Sequence, residues 1–294
     1  MYHYVNGGFS LTYMTAVILG LVQGVAEFLP ISSSGHLSLL QNFMGLTNVE
    51  QDHMFFDVLL HLGTLVSVLV VYRKDVGEMI CEFFRGIAAL FSRHSSHSAP
   101  PPARRLVLMI IVATLPLFAV LPIQDAIGKL YGNTIFISCA LIVTGFLLFI
   151  SDRMARGRKT AKNATVLDAL LVGCAQAIAT VPGLSRSGTT IAAGLGRGFD
   201  RSFAVRFSFL MSLPAVLGAN ILSLADAVQA GGIDSTLLPM YLVGVLVAMI
   251  SGYFAIRLVK ILSAKGKFGK FAYYCWIVGA VTLVIGIVKF AMPA

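Results

Sequence analysis

Four residues of this sequence have the side-chain types that bind and transfer phosphate. Glu27, Ser33 and His36 stand within ten positions of one another, and Arg186 follows later in the chain. Guanidinium groups and hydroxyls bind phosphate oxygens. A serine or histidine near a carboxylate is the smallest set that can transfer a phosphoryl group, because it supplies a nucleophile and a proton acceptor. The residue types and their spacing therefore predict phosphoryl-transfer chemistry.

These residues lie in two copies of one motif. Residues 20–36 read GLVQGVAEFLPISSSGH, and residues 173–189 read GCAQAIATVPGLSRSGT. Identical pairs recur at a constant offset of 153 positions: Gly20 and Gly173, Gln23 and Gln176, Ala26 and Ala179, Ser32 and Ser185, Ser34 and Ser187, Gly35 and Gly188. The copies differ at the reactive positions, which match as Glu27 to Thr180, Ser33 to Arg186 and His36 to Thr189. We expect the two copies to meet and form one composite site.

The serine-rich part of each motif predicts an anion-binding turn. Pro30 and Gly35 in the first copy, like Pro182 and Gly188 in the second, would interrupt a helix. A second helix that starts after each break points its unpaired N–H groups at the site, where they favour an anion. The residues expected to contact substrate phosphate are Ser32, Ser34, Gly35, Ser185, Ser187, Gly188 and Thr189. Serines in apolar helices also bond to their own backbone, so a structural role is the alternative for Ser32 and Ser34.

Three further polar residues are candidates because polar groups in an apolar chain are expensive to bury. Gln23 precedes Glu27 by four positions and shares its helical face, so the two polar side chains can act together. Asp57 and His61 are also four positions apart, and we expect them to pair with each other or to contact the residues that bind the substrate.

Composition places the chain in a membrane. Of its 294 residues, 57% are hydrophobic and 12% are charged, whereas soluble domains carry about 25% charged residues. Apolar stretches long enough to cross a bilayer predict six spans, at residues 55–72, 106–122, 134–151, 207–225, 237–257 and 271–291. The net charge of +9 does not indicate nucleic-acid binding, because the basic residues stand in short loops between these spans.

The loop charges predict an orientation. The connections rich in Lys and Arg are residues 73–105, 152–164 and 258–270. The connections with at most one Lys or Arg are residues 46–54, 123–133 and 226–236. Because basic loops stay in the cytoplasm, we expect the first set inside and the second set outside.

The two motif segments are expected to enter the membrane without crossing it. A single crossing by residues 15–45 would move every later loop to the other side and invert the charge bias. The sequence therefore predicts an all-α integral membrane protein with six transmembrane helices and two re-entrant helix–loop–helix hairpins in an inverted-topology repeat. One membrane domain, residues 1–294, comprises repeat 1 (about 11–151), repeat 2 (about 165–291) and a flexible cytoplasmic loop (about 92–104).

The motifs resemble those of the bacterial undecaprenyl-pyrophosphate phosphatase family, also known as bacitracin-resistance proteins. The resemblance rests on the segments 23–36, 182–188, 57–64, 151–153 and 206–210. It implies a multi-pass enzyme of the bacterial inner (plasma) membrane that hydrolyses undecaprenyl pyrophosphate to undecaprenyl phosphate, which recycles the carrier lipid for cell-wall synthesis and confers bacitracin resistance. It also implies a homodimer, surrounding membrane lipids, a site open to the extracytoplasmic side and a divalent cation, Mg²⁺ or Ca²⁺.

The resemblance assigns roles to individual residues. Glu27 matches the family's second acidic position, Ser33 and His36 its catalytic serine and histidine, and Arg186 its phosphate-holding arginine. The chain carries Gln23 at the first acidic position, so phosphate oxygens or water would complete a metal's coordination there. Either Ser33 or His36 is open as the nucleophile.

A transporter or flippase for an anionic polyprenyl lipid is the competing interpretation, because inverted repeats with broken helices are common in transporters. The two motif copies argue for an enzyme, since a binding site gains little from the additional Glu27, Ser33 and His36. Lipid phosphatases of the acid-phosphatase type do not fit, because their motif requires a histidine where this chain has Ala192.

Overall fold

The computed structural model describes residues 4–5, 8–9, 11–43, 54–91, 100–154, 157–229 and 235–291. Two short strands, β1 (Tyr4–Val5) and β2 (Gly8–Phe9), pair antiparallel. The α-helices are α1 (Tyr13–Phe28), α2 (Ser33–Phe43), α3 (Met54–Val71), α4 (Arg73–Phe91), α5 (Pro102–Thr114), α6 (Gln124–Gly128), α7 (Thr134–Arg153), α8 (Val166–Ile178), α9 (Arg186–Gly196), α10 (Arg201–Gln229), α11 (Leu238–Ala264) and α12 (Gly269–Ala291). Short 3₁₀ helices occupy Leu115–Ala119, Leu121–Ile123 and Ser235–Leu237. The prediction of an essentially all-helical protein is confirmed.

Five helical segments of the described chain are long and apolar enough to cross a membrane: Pro102–Gly128, Thr134–Arg153, Arg201–Leu222, Leu238–Ala264 and Gly269–Ala291. They correspond to five of the six predicted spans. The remaining predicted span is α3, which bends by 86° into α4 and gives a sixth crossing only if this bent pair counts as one span. Large apolar side chains such as Ile277 and Phe254 are exposed on these helices, as expected for surfaces that face lipid.

The predicted cytoplasmic connection at 73–105 is largely helical. Many of its charged residues lie on the amphipathic helix α4, where Glu82 forms ion pairs with Arg85 at 2.9 Å and with Arg104 of α5 at 3.0 Å. The flexible loop predicted at 92–104 extends too far at its C-terminal end. Pro102 begins α5, at a position where proline favours helix initiation. Residues 92–99 of that predicted loop lie outside the described residues.

The first helix of each motif copy packs on a corresponding helix of the other half of the chain. Helix α1 packs on α11 of the second repeat, and α8, its counterpart, packs on α5 of the first repeat. A Cβ added to Gly20 of α1 would lie 2.5 Å from the carbonyl oxygen of Gly244, and one on Gly173 of α8 would lie 2.4 Å from that of Ala113. Each helix therefore needs glycine at this position because it touches backbone of the opposite repeat.

Each motif forms two helices separated by a short break, as predicted. The first break, residues 29–32, joins α1 to α2, and the second, residues 179–185, joins α8 to α9. Ser32 holds a φ of 72°, a left-handed conformation that is uncommon for a residue other than glycine. The largest cluster of buried apolar side chains includes Phe28 before the first break together with Phe207 and Phe209 of α10, so the first turn is anchored on the protein interior.

Candidate active site

The two breaks meet each other, as the repeat predicted. A Cβ added to Gly35 of the first motif would lie 3.1 Å from Cα of Gly183 in the second. A Cβ on Gly188 of the second motif would lie 3.2 Å from Cβ of Pro30 in the first. The contacts are thus reciprocal, because Pro30 and Gly183 are equivalent positions of the two copies. The close approach brings the starts of α2 and α9 side by side.

The serines shared by both motifs stabilise the starts of these helices. The hydroxyl of Ser32 accepts a hydrogen bond from the N–H of Gly35 at 3.1 Å, and Ser185 accepts one from Gly188 at 3.1 Å. Both serines are buried. Ser34 and Ser187 lie beside them, at 3.4 and 3.3 Å between hydroxyl oxygens. Ser32 and Ser185 therefore have a structural role at the helix starts. The first-turn N–H groups that precede Gly35 and Gly188 have no acceptor within their helices.

Three residues that differ between the motifs, Glu27, Ser33 and Arg186, meet at one carboxylate. Oε2 of Glu27 accepts hydrogen bonds from Oγ of Ser33 at 2.6 Å and from Nε2 of Gln23 at 3.1 Å. Oε1 of Glu27 forms an ion pair with Nη2 of Arg186, which comes from the second motif. Glu27 is 8% exposed, whereas the Arg186 side chain is 23% exposed. A buried carboxylate thus holds both the hydroxyl of one motif and the guanidinium of the other.

Asp57 and His61 lie beside this junction, but they are not paired through the aspartate side chain. Nδ1 of His61 donates to the backbone carbonyl of Asp57 at 2.8 Å, and its Nε2 lies 3.7 Å from Oε2 of Glu27. The Asp57 carboxylate instead accepts hydrogen bonds from the amide of Gln41, at 3.3 and 3.2 Å. His61 therefore lies next to the Glu27 carboxylate, and Asp57 lies further from it.

His36 contacts Tyr274 of α12. Its Nδ1 donates to the backbone carbonyl of Ser32 at 2.7 Å, which leaves Nε2 to accept the hydroxyl hydrogen of Tyr274 at 2.9 Å. The two rings also stack, with centroids 5.6 Å apart and planes 11° from parallel. The described contacts of His36 thus fix one ring orientation and one tautomer. Thr189, its counterpart in the second motif, is buried, and its hydroxyl has no hydrogen-bond partner among the described residues.

Replacing Tyr274 with phenylalanine should test whether this orientation matters. The ring would still stack on His36, but the hydrogen bond to Nε2 would be lost, so we expect turnover to fall about three- to thirtyfold. The pH dependence of turnover should also shift, because the imidazole would lose a partner that sets its tautomer. Turnover of undecaprenyl diphosphate across pH 5–9 measures both effects, with Tyr273→Phe as the matched control. An unchanged rate and pH profile in Tyr274→Phe would contradict a positioning role.

Three residues near the site lie outside the motifs and carried no signal in the sequence. Tyr274 is one of them. Thr144 of α7 accepts the N–H of Ser185 at 3.1 Å and donates to the carbonyl of Gly183 at 3.2 Å, which holds the second turn in place. Tyr131 follows α6, and burial together with the Asp57 and Glu27 carboxylates raises the pKa of its phenol.

The site fits a divalent cation only if the substrate shares it. Gln23 is fully buried, and its Oε1 has no hydrogen-bond partner among the described residues, so an amide oxygen and the Glu27 carboxylate are available as oxygen ligands. The described residues contain no group of three or more His, Cys, Asp or Glu side chains arranged to hold a metal. A cation held by Glu27 and Gln23 would therefore take its other ligands from phosphate oxygens or water.

Comparison with known proteins identifies the family of this chain. Residues 16–281 match the family described as bacitracin resistance protein BacA, and this stretch contains both motifs. The chain belongs to the bacitracin resistance protein BacA family. The undecaprenyl-diphosphatase of Alkaliphilus metalliredigens is 40% identical over 278 residues, which cover 94% of this chain and 100% of that protein. Those of Carboxydothermus hydrogenoformans and Methanobrevibacter smithii are each 41% identical, over 92% of this chain and 96% of their own length.

The resemblance inferred from the motifs is thereby confirmed. The match to the BacA family spans both repeats, so it covers the elements that supply Glu27 and Ser33 as well as those that supply Arg186. Together with its long apolar helices, membership of this family makes the chain a multi-pass membrane protein.

Proposed function

We propose that this BacA family protein is an undecaprenyl-diphosphatase, which hydrolyses undecaprenyl diphosphate to undecaprenyl phosphate and inorganic phosphate. The observation that carries the proposal is the junction at Glu27, which holds the Ser33 hydroxyl at 2.6 Å and also pairs with Arg186. These groups supply a nucleophile, a proton acceptor and an anion-binding cation within one site. Relatives about 40% identical over nearly the whole chain carry the name of this activity.

Arg186 and the helix starts bind the diphosphate. The guanidinium presents several donors that match phosphate oxygens, and it is partly exposed while its partner Glu27 is buried. The unpaired N–H groups in the first turns of α2 and α9 add a positive dipole end from each motif. As the diphosphate engages Arg186, it competes with Glu27 for the guanidinium. Substrate binding thus frees the carboxylate that Ser33 needs as a proton acceptor.

Hydrolysis begins with attack by Oγ of Ser33 on the terminal phosphorus. The hydroxyl proton passes to Glu27, with which it already shares a hydrogen bond, and the bond from the terminal phosphorus to the bridging oxygen breaks. Undecaprenyl phosphate leaves with that bridging oxygen, and a water then cleaves the serine phosphate to release inorganic phosphate. A cation shared by Glu27, Gln23 and the substrate would offset negative charge on the phosphates.

His36 has a positioning role in this reaction and is not the base for Ser33. Its ring is held by the Ser32 carbonyl and by Tyr274, and none of its described contacts is to Ser33. From this position it orients the phosphate or the hydrolytic water. Attack by His36 itself, with a phosphohistidine intermediate, would require the ring to leave Tyr274, and the geometry favours Ser33 as nucleophile.

Transport without hydrolysis is the weaker explanation of the site. Arg186 and the two helix starts would suffice to bind an anionic lipid. A binding site for transport gains nothing from a carboxylate that accepts a hydrogen bond from a serine hydroxyl at 2.6 Å in only one of the two motifs.

The arrangement in the membrane is part of the proposal. We place six crossings around two re-entrant hairpins, α1–α2 and α8–α9, in one membrane domain with inverted repeats. The reciprocal packing of α1 on α11 and α8 on α5 supports this arrangement. As the resemblance implies, we place the site open to the extracytoplasmic face of the bacterial inner membrane. A homodimer, as the resemblance implies, would be detected by cross-linking in membranes.

Cysteine labelling in membranes should test this topology. In a background without the four native cysteines, we expect cysteines at the exposed positions Lys162 and Lys267 to react only from the cytoplasm. A cysteine at exposed Gly132 should react only from outside. If α8–α9 crossed the membrane once, three crossings would separate residues 162 and 267. Labelling of these two positions from opposite sides would therefore rule out the inverted repeat.

Phosphate release by the purified protein tests the function itself. In detergent, we expect release of one phosphate per undecaprenyl diphosphate and accumulation of undecaprenyl phosphate. Chelation of divalent cations should lower turnover by at least about tenfold, and added Mg²⁺ or Ca²⁺ should restore it, because the site offers one carboxylate against a highly charged substrate. Lipid binding without any phosphate release, with or without added cation, would favour transport.

A further inference from the structure

A second basic site lies where α3 bends into α4. A cavity of about 390 Å³ opens there between the end of α3 and α11. Its lining residues are Val70, Val71, Arg73, Tyr253, Arg257, Lys260 and Ile261, which we call the α3–α11 groove. Tyr72, at the bend, lies eleven positions after His61, so the groove is about 16 Å along the helix direction from the Glu27 junction.

The groove contains three cations that have no acidic partner. None of Arg73, Arg257 and Lys260 forms an ion pair among the described residues. The nearby carboxylate of Asp75 is already paired with Arg206. Three positive charges around one cavity repel each other, and an anion would relieve that repulsion. The charge of the groove therefore points to an anionic ligand.

Aromatic rings hold two of these cations at the edge of the cavity. The guanidinium of Arg257 lies 4.8 Å from the ring centroid of Tyr253, and Nζ of Lys260 lies 5.1 Å from that of Tyr72. Such contacts restrain a cation without neutralising it. Arg257 and Lys260 thus keep their full charge and their hydrogen-bond donors for a ligand.

The other wall of the groove is apolar and faces outward. Val70 is 44% exposed on the apolar helix α3, and Ile261 is 54% exposed on α11, which is long and apolar enough to cross a membrane. A soluble anion such as inorganic phosphate would leave this wall uncovered, whereas a phospholipid would cover it with an acyl chain. The basic residues also belong to the end of the molecule that the loop charges place in the cytoplasm. Basic pockets between helices at this face bind lipid phosphates.

We propose that the α3–α11 groove binds an anionic phospholipid of the cytoplasmic leaflet. Its phosphate lies among Arg73, Arg257 and Lys260, and an acyl chain lies along Val70 and Ile261. This site is separate from the Glu27 junction and takes a lipid of the surrounding membrane. It also anchors the bend between α3 and α4 at the membrane surface.

Lipid binding to the purified full-length protein tests the proposal. The probe is short-chain phosphatidylglycerol, titrated in detergent and followed by native mass spectrometry, with phosphatidylcholine as the neutral comparison. We expect R73Q/R257Q/K260Q to weaken phosphatidylglycerol binding by roughly tenfold or more. The matched control K265Q/K267Q/K270Q removes the same charge from exposed positions of the same end, outside the groove, and should change binding less than about twofold.

A second variant keeps every charge and fills the groove instead. Val70→Trp occupies the exposed apolar wall, so it should weaken phosphatidylglycerol binding while the thermal unfolding midpoint stays close to that of the unaltered protein. The proposal is wrong if both groove variants bind phosphatidylglycerol like the unaltered protein, or if the lysine control loses as much affinity as the groove variant. Full displacement of the lipid by inorganic phosphate would equally overturn it, because the apolar wall would then contribute nothing.

Discussion

Glu27→Gln is expected to lower turnover of undecaprenyl diphosphate by roughly 10²–10⁴ while the affinity for the lipid changes far less. The amide has nearly the same shape as the carboxylate, so the helix packing around it should persist. It cannot accept the proton of Ser33, however, and it carries no charge to set against Arg186. The loss should therefore appear in the rate and not in the binding constant.

Three companion variants test this prediction further. Ser33→Ala should be nearly as slow as Glu27→Gln, and the double variant should be no slower than either, because the two groups act in one step. Thr180→Ala changes the position that matches Glu27 in the second motif, and it should leave turnover within about threefold of the unaltered protein. Turnover and lipid affinity of each variant in the same detergent measure these effects. Wild-type rates in both Glu27→Gln and Ser33→Ala would show that the catalytic assignment is wrong.

Arg186→Lys should lower turnover by more than about tenfold, and Arg186→Ala should lower it further. Lysine keeps the charge but replaces the planar set of donors with a single ammonium group, which cannot hold two phosphate oxygens in the same way. Alanine also leaves Glu27 buried without its cation, and removing one partner of a buried pair typically costs about 3–5 kcal/mol of stability. A lower unfolding temperature should thus accompany Arg186→Ala more than Arg186→Lys.

The controls for Arg186 separate binding from folding. Arg153→Lys alters an arginine that lies over the ring of Phe149 at the end of α7, outside the site, and should leave activity unchanged. In Arg186→Ala/Glu27→Gln the unpaired buried charge is gone, so stability should recover relative to Arg186→Ala while activity does not. Near-normal turnover in either single Arg186 variant would contradict its role in holding phosphate.

Sequence patterns alone predicted the local structure around the candidate site because they reflect local physics. The duplicated motif located both helix breaks, since proline, glycine and serine act on the backbone next to them. The identical residues of the two copies turned out to shape the turns, as Ser32 and Ser185 show by accepting the N–H groups of Gly35 and Gly188. Three of the residues that differ between the copies, Glu27, Ser33 and Arg186, meet at the Glu27 carboxylate.

Local patterns also predicted the apolar helices, because a span needs only enough consecutive apolar residues. They failed between residues 73 and 91, where charged residues suggested a loop and the chain forms the amphipathic helix α4. An amphipathic helix at a membrane surface has one charged face, so its overall composition resembles that of a polar connection.

Tertiary structure alone decided which groups act on one another. His36 and Tyr274 are 238 positions apart, and Glu27 and Arg186 are 159 apart, so no local rule relates them. The packing of α12 and of the second turn brings these residues together. For the same reason His61 reaches Glu27 and not the Asp57 carboxylate, and Thr144 holds a turn that no motif connects to it. Spacing along the chain indicates which residues can share a site, but the contacts of each group follow from the way the helices pack.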